Sequence, residues 1–437
     1  MTKGVALATV PDMTSFYVWT IGCQMNDADA TRVHAGLVGM GWHPVESTAE
    51  ADLVVLLTCV VRQSAEDRVL GRLTSLRRLK SDRPHAVLIV MGCLVDDPLA
   101  LKERFPYVDA FYRPSDLDGL LQYVRGTASE HAATYSNVAL SAELPTVCAL
   151  VPISYGCDHH CTYCIVRLRR GGQRSRPLPD ITAEVQVLVD RGAREVTLLG
   201  QNVDAYGQDL NGKAPDLADA LGALSGIGSL WRIRFLTSHP AHISDKLIGT
   251  VARLPTVCPH FELPVQSGDD RVLQRMGRNY TVASYRELVE RIRRTVPGSS
   301  IATDVIVGFP GESTAQFQGT FDLLSSIRFD AVHIAKYSPR TGTPAARLPD
   351  DVSPEDKERR RVALEELQTR IARAGNQTLL GQCTQVLIDD RQRGRWKGRT
   401  VNNKLVFFED EGDWRGRIAV VRVTWAGAWS LRGTLAA

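Results

Sequence analysis

Three cysteines crowd into the stretch Gly156-Cys157-Asp158-His159-His160-Cys161-Thr162-Tyr163-Cys164, directly after the apolar run Ala149-Leu150-Val151-Pro152-Ile153. This CxxxCxxC spacing constrains the chain more than any other feature, because the fold must let three thiolates converge from one short loop at a strand end. Thiolates are the usual ligands of iron in a cubane iron–sulfur cluster. Three protein ligands leave one iron of a 4Fe–4S cluster open to a small chelating molecule. A ferredoxin site would need a fourth cysteine nearby, and none lies between Cys164 and Cys258. A structural zinc site would take four ligands in paired form. His159 or His160 would have to complete it from inside the loop, with poor reach.

Upstream, strand and helix patterns alternate in a βαβ manner from Phe16. Strands are predicted over Phe16–Ile21, Asp52–Leu57 and Ala86–Met91, with helices from about Asn26 or Asp27 to Met40 and over Gln63–Leu79. Cys23, Cys59 and Cys93 each follow one of these strands. The carboxyl ends of parallel strands share one sheet edge, so the three can meet although far apart in sequence. A single cysteine so placed reads as a small buried core residue. Three in succession point to a second cluster site.

Residues 1–14 read as a leader, and the Ser-, Ala- and Thr-rich stretch over about 125–144 as a linker. From Ala149 a second βα series runs through Glu195–Leu199, Trp231–Phe235, Phe261–Val265, Ile301–Val307 and Ala331–Ala335. Six strands with intervening helices suggest a partial (βα)6 barrel whose site lies at the strands' C-terminal ends. Polar residues gather at those ends: Gln201 and Asn202, Ser238 and His239, Gln266 and Ser267, and Asp304. A helix begins at Ser353-Pro354. Beyond Asn376 short strands with Gly, Asn and Asp turns form a small all-β barrel of an oligonucleotide-binding kind. Arg393, Arg395 and Lys397 flank Trp396 on one hairpin, a pattern suited to phosphates and base stacking. The expected fold class is α/β, with domains over 15–128, 143–374 and 376–437.

Composition narrows the setting. Hydrophobic content of 44% and charged content of 23% are those of a globular chain, and no run is long enough to span a bilayer. Nine cysteines over 437 residues fit a reducing compartment better than a disulfide scaffold. No secretory signal is evident, so a cytoplasmic location is expected. A net charge of +3 decides nothing alone.

These residues together resemble the methylthiotransferases of the radical S-adenosylmethionine (SAM) superfamily, most closely the MiaB branch. The resemblance rests on Ile21-Gly22-Cys23-Gln24-Met25-Asn26, Thr58-Cys59-Val60-Val61-Arg62, Gly92-Cys93, the Cys157–Val166 stretch and Leu199-Gly200-Gln201-Asn202-Val203. Thr237-Ser238-His239-Pro240, Leu263-Pro264-Val265-Gln266-Ser267-Gly268, Asp304–Glu312 and Tyr337-Ser338-Pro339-Arg340 add to it.

The resemblance implies two 4Fe–4S clusters, an auxiliary one on Cys23, Cys59 and Cys93 and a SAM-binding one on Cys157, Cys161 and Cys164. Tyr163, Gln201, Asn202, Ser238, Gln266 and Asp304 are the expected SAM contacts. It also implies a C-terminal TRAM domain that binds RNA, with Arg167, Arg169, Arg170, Arg174 and Arg176 holding phosphates. The implied activity is methylthiolation of carbon 2 of N6-isopentenyladenosine in the anticodon stem-loop of tRNA. A flavodoxin- or ferredoxin-type reductant, a sulfur donor, no membrane and a monomeric state go with it. Sister branches act on threonylcarbamoyl-adenosine in tRNA or on an aspartate of a ribosomal protein. A non-catalytic RNA-binding iron–sulfur protein or an electron carrier is the alternative of another class. The chain departs from the family pattern at Arg167, Leu168 and Arg169 (usually Pro, an aromatic and Thr), at Gly172-Gln173 (usually Arg-Glu) and at Asp204-Ala205 (usually Asn-Ser).

Overall fold

The computed structural model describes residues 14–61, 63–127, 146–212 and 214–436. The leader and most of the linker lie outside them. Two compact units emerge: one holds the described residues before 128 together with Leu168–Arg170, the other the remainder.

In the first unit β1 (Ser15–Thr20), β2 (His43–Pro44), β3 (Leu53–Thr58), β4 (Val87–Gly92) and β5 (Ala110–Tyr112) form one parallel sheet in the order β2-β1-β3-β4-β5. Central β3 is buried at every position, as its unbroken apolar run Leu53-Val54-Val55-Leu56-Leu57 requires of a strand covered on both faces. Four helices complete the unit: α1 (Gln24–Gly39), α2 (Gln63–Asp82), α3 (Pro98–Arg104) and α4 (Leu117–Thr127). Val33 and Leu37 of α1 and Leu120 and Val124 of α4 pack in one core cluster with the sheet. The three long strands stand where the apolar runs predict them, whereas β2 and β5 are too short to show an apolar period. Helix α1 begins earlier than its cap candidates Asn26 and Asp27 suggest. Cys23 holds the N-cap position, and the Asn26 side chain is used elsewhere.

The second unit opens with β6 (Cys148–Pro152) and a small antiparallel pair, β7 (Ser154–Tyr155) with β8 (Arg174–Ser175). Helix α5 (Val166–Arg170) lies between these two in sequence. Then follow α6 (Leu178–Asp190), β9 (Glu195–Leu199), α7 (Leu217–Ser225), β10 (Arg232–Phe235), α8 (Asp245–Arg253) and β11 (His260–Glu262). The series ends with α9 (Asp270–Arg275), α10 (Val282–Thr295), β12 (Ser300–Val307), α11 (Thr314–Ile327) and β13 (Ala331–Lys336). Parallel ladders run β6-β9-β10 and β11-β12-β13, and Cys258 N donating to Ile233 O and Ser238 N donating to Glu262 O join the two arcs. The expected six-stranded partial barrel is present. Its fourth strand is shorter than predicted: Pro264 has no N–H to give the ladder, and Gln266 turns left-handed at φ 68°.

Helix α12 (Pro354–Gln377), N-capped by Ser353, leads to a closed five-stranded barrel of β14 (Cys383–Gln392), β15 (Arg395–Arg399), β16 (Leu405–Phe408), β17 (Ile418–Ala426) and β18 (Leu431–Leu435). Its loop over 399–404 plugs the N-terminal end of the larger barrel. Arg234 donates to the carbonyls of Thr400 (2.7 Å) and Val401 (2.9 Å), and Arg232 to that of Arg399 (2.6 Å). Glu195, at the start of β9, bonds Arg234 Nε at 2.8 Å, and all three charged side chains are buried. Lys404 pairs with Asp330 at 2.8 Å, ahead of β13. The opposite rim, at the strands' C-terminal ends, carries Asn202, Ser238 and Gln266.

Candidate functional site

Within the first unit the structure brings Cys23, Cys59 and Cys93 together from three successive strand ends. Cys59 and Cys23 lie close enough for their thiols to interact, and Cys93 interacts with both. The Cys59 thiol is the main cause that draws the Cys23 thiol down; amides of the first turn of α1 add to it. The Cys23 thiol, with burial, pushes Cys59 well up, and burial pushes Cys93 up. Gly22 permits the approach: at φ +130° its hypothetical Cβ would lie 2.3 Å from Cys59 Cβ.

Asn26, expected as a helix cap, and Thr58 instead tie these loops. Asn26 Nδ2 donates to Ile21 O and to Thr58 O, both at 2.9 Å, and so joins the chain just ahead of Cys23 to that just ahead of Cys59. Thr58 O also accepts from Cys93 N at 2.9 Å, while Thr58 Oγ1 donates to Met91 O at 3.0 Å. Their only sequence signal is position, since a polar residue beside each cysteine has backbone groups to satisfy.

Cys157, Cys161 and Cys164 converge in the second unit from one loop. Gly156, at φ +71°, passes so near Gly172 O (2.1 Å from a hypothetical Cβ) that only glycine fits, and Cys157 N bonds Gly171 O at 3.2 Å. Thr162 N donates to Met276 O at 2.9 Å and Thr162 Oγ1 to Arg275 O at 2.8 Å, which anchors the loop on the segment after α9. Buried Arg278 donates to Cys161 Sγ at 3.4 Å and to Pro264 O at 2.9 Å. It had no sequence signal, being 117 residues from the cysteine it serves. Burial pushes Cys157 up, and Cys164 up to about 12. Among the described residues the other cysteines lie elsewhere: Cys148 and Cys258 near the Glu195 floor, Cys383 at the start of β14. Each trio therefore has the donor set of a cluster with one open iron.

Beside the loop lies a cavity of about 300 Å³, lined by Asp158, His159, Gln173, Asn202, Ala205, Gln208, Asp209 and His242. Asn202 Oδ1 is buried with no partner, as is Ser154 Oγ, and a Cβ on Gly200 would come within 2.6 Å of the latter. Unmet polar atoms beside a side-chain-free backbone fit a polar ligand such as SAM. Asn202 Nδ2 donates to His159 Nε2 (3.1 Å) and His242 Nδ1 (3.2 Å). Burial drives the His159 imidazole down to about 4 and that of His239 to about 2, so both are neutral. Their rings stack at 3.9 Å and 11°, and one ring nitrogen from each of His159, His239 and His242 lies within 4.8 Å of the others. Gln173, where the family pattern has an acid, bonds Asp209 at 3.1 Å.

Of the remaining expected SAM contacts, Ser238 instead donates to Asp204 Oδ1 at 3.0 Å. Tyr163 packs against Met276 and Phe309, Gln266 is buried, and Gln201 and Asp304 are half-buried at the rim. Asp204 also accepts from His239 N at 2.7 Å, yet burial pushes its carboxyl up to about 7. Glu262 is likewise pushed up to about 7, by burial first and then by Asp304. Such carboxyls keep, in the folded state, a proton that the unfolded chain releases near pH 4. Stability is therefore expected to fall as pH rises from about 4 to about 7 and to level off above. Asp204→Asn should flatten part of that slope in urea melts across the window; an unchanged slope would mean that Asp204 is already ionised at pH 4.

Several expected RNA contacts are engaged within the protein. Trp396 is only 6% exposed and donates to Asp410 O at 3.0 Å, so it belongs to the small barrel's core and cannot stack a base. Its ring forms part of the apolar period of β15, which a count of cations around it conceals. Arg395 pairs with Glu409 at 2.8 Å and Lys397 with Asp390 at 3.3 Å, while Arg393 is exposed in the hairpin turn. Arg176 is tied to Glu184 and Pro152 O, Arg169 to Asp96, and Arg170 is buried, which removes all three from a phosphate-binding surface. Arg167 and Arg174 are exposed. The aromatic surface of the small barrel is instead Trp425 (46% exposed), with Arg432 4.7 Å over its ring, and Trp429 (59% exposed).

A partial (βα)6 barrel with a CxxxCxxC loop after its first strand defines a radical SAM protein, and residues 151–324 match the Radical SAM superfamily model. Residues 15–112 match Uncharacterized protein family UPF0004, and residues 377–436 the TRAM domain. A similar fold occurs in the radical S-adenosylmethionine methyltransferase TsrM from Kitasatospora setae, solved with cobalamin and a [4Fe-4S] cluster bound. It has a TM-score of 0.54 at 13% identity, over 77% of this chain and 74% of that one. Sequence relatives are closer. The tRNA-2-methylthio-N(6)-dimethylallyladenosine synthase of Herpetosiphon aurantiacus is 46% identical over 96% of this chain and 97% of its own. Those of Roseiflexus sp. and Chloroflexus aurantiacus are 47% and 45% identical, over 98% and 97% of this chain and 90% and 92% of theirs. The chain belongs to the tRNA-2-methylthio-N(6)-dimethylallyladenosine synthase family.

Proposed function

We propose that this chain replaces the hydrogen on carbon 2 of N6-isopentenyladenosine, beside the anticodon of tRNA, with a methylthio group, using SAM as radical source and methyl donor. The observation that carries the reading is the pair of cysteine trios, each on its own hydrogen-bond scaffold and each short of a fourth ligand. One trio would suffice for SAM cleavage; an unactivated aromatic C–H also needs a held sulfur. Bound at Cys157, Cys161 and Cys164, a 4Fe–4S cluster would supply the electron that cleaves SAM, and one on Cys23, Cys59 and Cys93 would hold the sulfur donor at its open iron.

The protein's own groups position and shield. Asn202 Oδ1, in the cavity wall, is free to accept from SAM, and the neutral His159–His239 stack offers an aromatic face without a competing charge. Arg278 holds the Cys161 sulfur in place. A tRNA loop presents a splayed base that duplex pairing would hide. Trp425, Trp429 and Arg432 offer stacking to unpaired nucleotides, and the exposed Arg174 and Arg393 offer charge to phosphates, while Arg167 is engaged by Asp158 at 2.9 Å. A flavodoxin- or ferredoxin-type reductant and a sulfur donor complete the set, acting on a monomer in the cytoplasm.

The test is nucleoside mass spectrometry of tRNA from a bacterial host that lacks its own enzyme of this type, with and without this protein. The methylthio-isopentenyl nucleoside is expected only with the protein. If methylthiolated threonylcarbamoyl-adenosine appears instead, the substrate assignment passes to the sister branch.

A further inference from the structure

Arg170 follows shortly after the Cys157–Cys164 loop, yet it belongs to the same compact unit as Cys23, Cys59 and Cys93. It is 7% exposed. Its Nη2 donates to Asn26 Oδ1 at 2.9 Å and its Nη1 to Ser115 Oγ at 3.1 Å, with Asp29 Oδ2 at 3.6 Å. Ser115 Oγ donates in turn to Asp29 Oδ2 at 3.0 Å, and the guanidinium lies near enough to the Cys93 and Cys23 sulfurs for its charge to act on both.

A guanidinium can only donate, so it fixes which end of the Asn26 amide faces it. With Oδ1 held by Arg170, Nδ2 is left to face Ile21 O and Thr58 O, the carbonyls ahead of Cys23 and Cys59. One buried cation thus braces two ligand loops through Asn26, and its charge acts on the sulfur of the third, Cys93. Burying it needs compensation, and Asp29 supplies only one nearby carboxylate.

We propose that Arg170 is a positioning residue for the Cys23–Cys59–Cys93 site, one that orients the ligand loops and sets the reduction potential of the cluster held there. The proposal rests on reading that trio as a cluster site. Reduction adds negative charge to a cluster, and a desolvated cation beside a ligand sulfur favours the reduced form.

The experiment uses a parent protein with Cys157, Cys161 and Cys164 all replaced by alanine, reconstituted anaerobically with iron and sulfide. The readouts are bound iron and an EPR-monitored reduction potential. Arg170→Met is expected to shift the potential in the negative direction, and Arg170→Lys, which keeps the charge, to restore part of the shift. A parent that takes up no iron overturns the cluster reading and this one with it. An iron-loaded parent whose potential Arg170→Met leaves unchanged overturns the role of Arg170 alone. If Arg170→Met holds no iron, Asp29→Asn decides: it strips the cation of its counter-charge, so a positive shift supports the role and an unchanged potential overturns it.

Discussion

Replacing Cys157 by alanine is expected to reduce SAM cleavage to the background of protein-free controls, whereas Cys23→Ala leaves 5′-deoxyadenosine formation near its normal rate and stops methylthiolation. The asymmetry follows from where each cysteine is held. Cys157, Cys161 and Cys164 share one loop fastened to Arg275, Met276 and Arg278, and that loop holds no fourth cysteine. Cys23 depends on a different scaffold, built on Asn26 and Thr58, so its loss leaves that loop intact. Anaerobic assays with dithionite, following 5′-deoxyadenosine and modified tRNA separately, would resolve the two. A Cys23→Ala protein that modifies tRNA at the wild-type rate would remove the strand-end trio from the reaction.

Glu195→Ala should be the most destabilising single change at the barrel floor. It leaves Arg232 and Arg234 buried without their carboxylate, a loss of about 3–5 kcal/mol for breaking a buried pair. Because the same guanidinium groups hold the carbonyls of residues 399–401, the damage should spread to the small barrel. Thermal melts would show a fall of several degrees, with earlier proteolysis in the small barrel. Glu195→Gln keeps an acceptor for Arg234 Nε and should cost less. Equal melting temperatures for Glu195→Ala and the wild type would mean that backbone carbonyls alone solvate the two cations.

Much of this was legible in the chain. Cysteines at strand ends declare themselves because a parallel sheet collects its carboxyl edges, and a three-ligand loop is dense enough to read directly. The six barrel strands were visible as apolar runs, except where Pro264 cut one short. What stayed hidden were partners brought in from far along the chain. Arg278 at Cys161, Asp209 beside Gln173 and the Arg232–Glu195–Arg234 group carry no local signature, because their meaning comes from tertiary approach. Trp396 and Arg170 failed in the opposite way. Each sat in a basic run that suggested a surface, and each was buried by neighbours that the run does not contain.

The two trios also differ in the span of chain each must gather. A single loop brings in the later one, so its sulfurs are neighbours as soon as that segment is made. The earlier trio draws one sulfur from each of three strand ends, and its geometry exists only after β1, β3 and β4 have paired in parallel, a slow kind of assembly. Metal loading should therefore be ordered: the later site accepts iron on a partly folded chain, while the earlier one waits for a finished sheet and empties whenever that sheet opens.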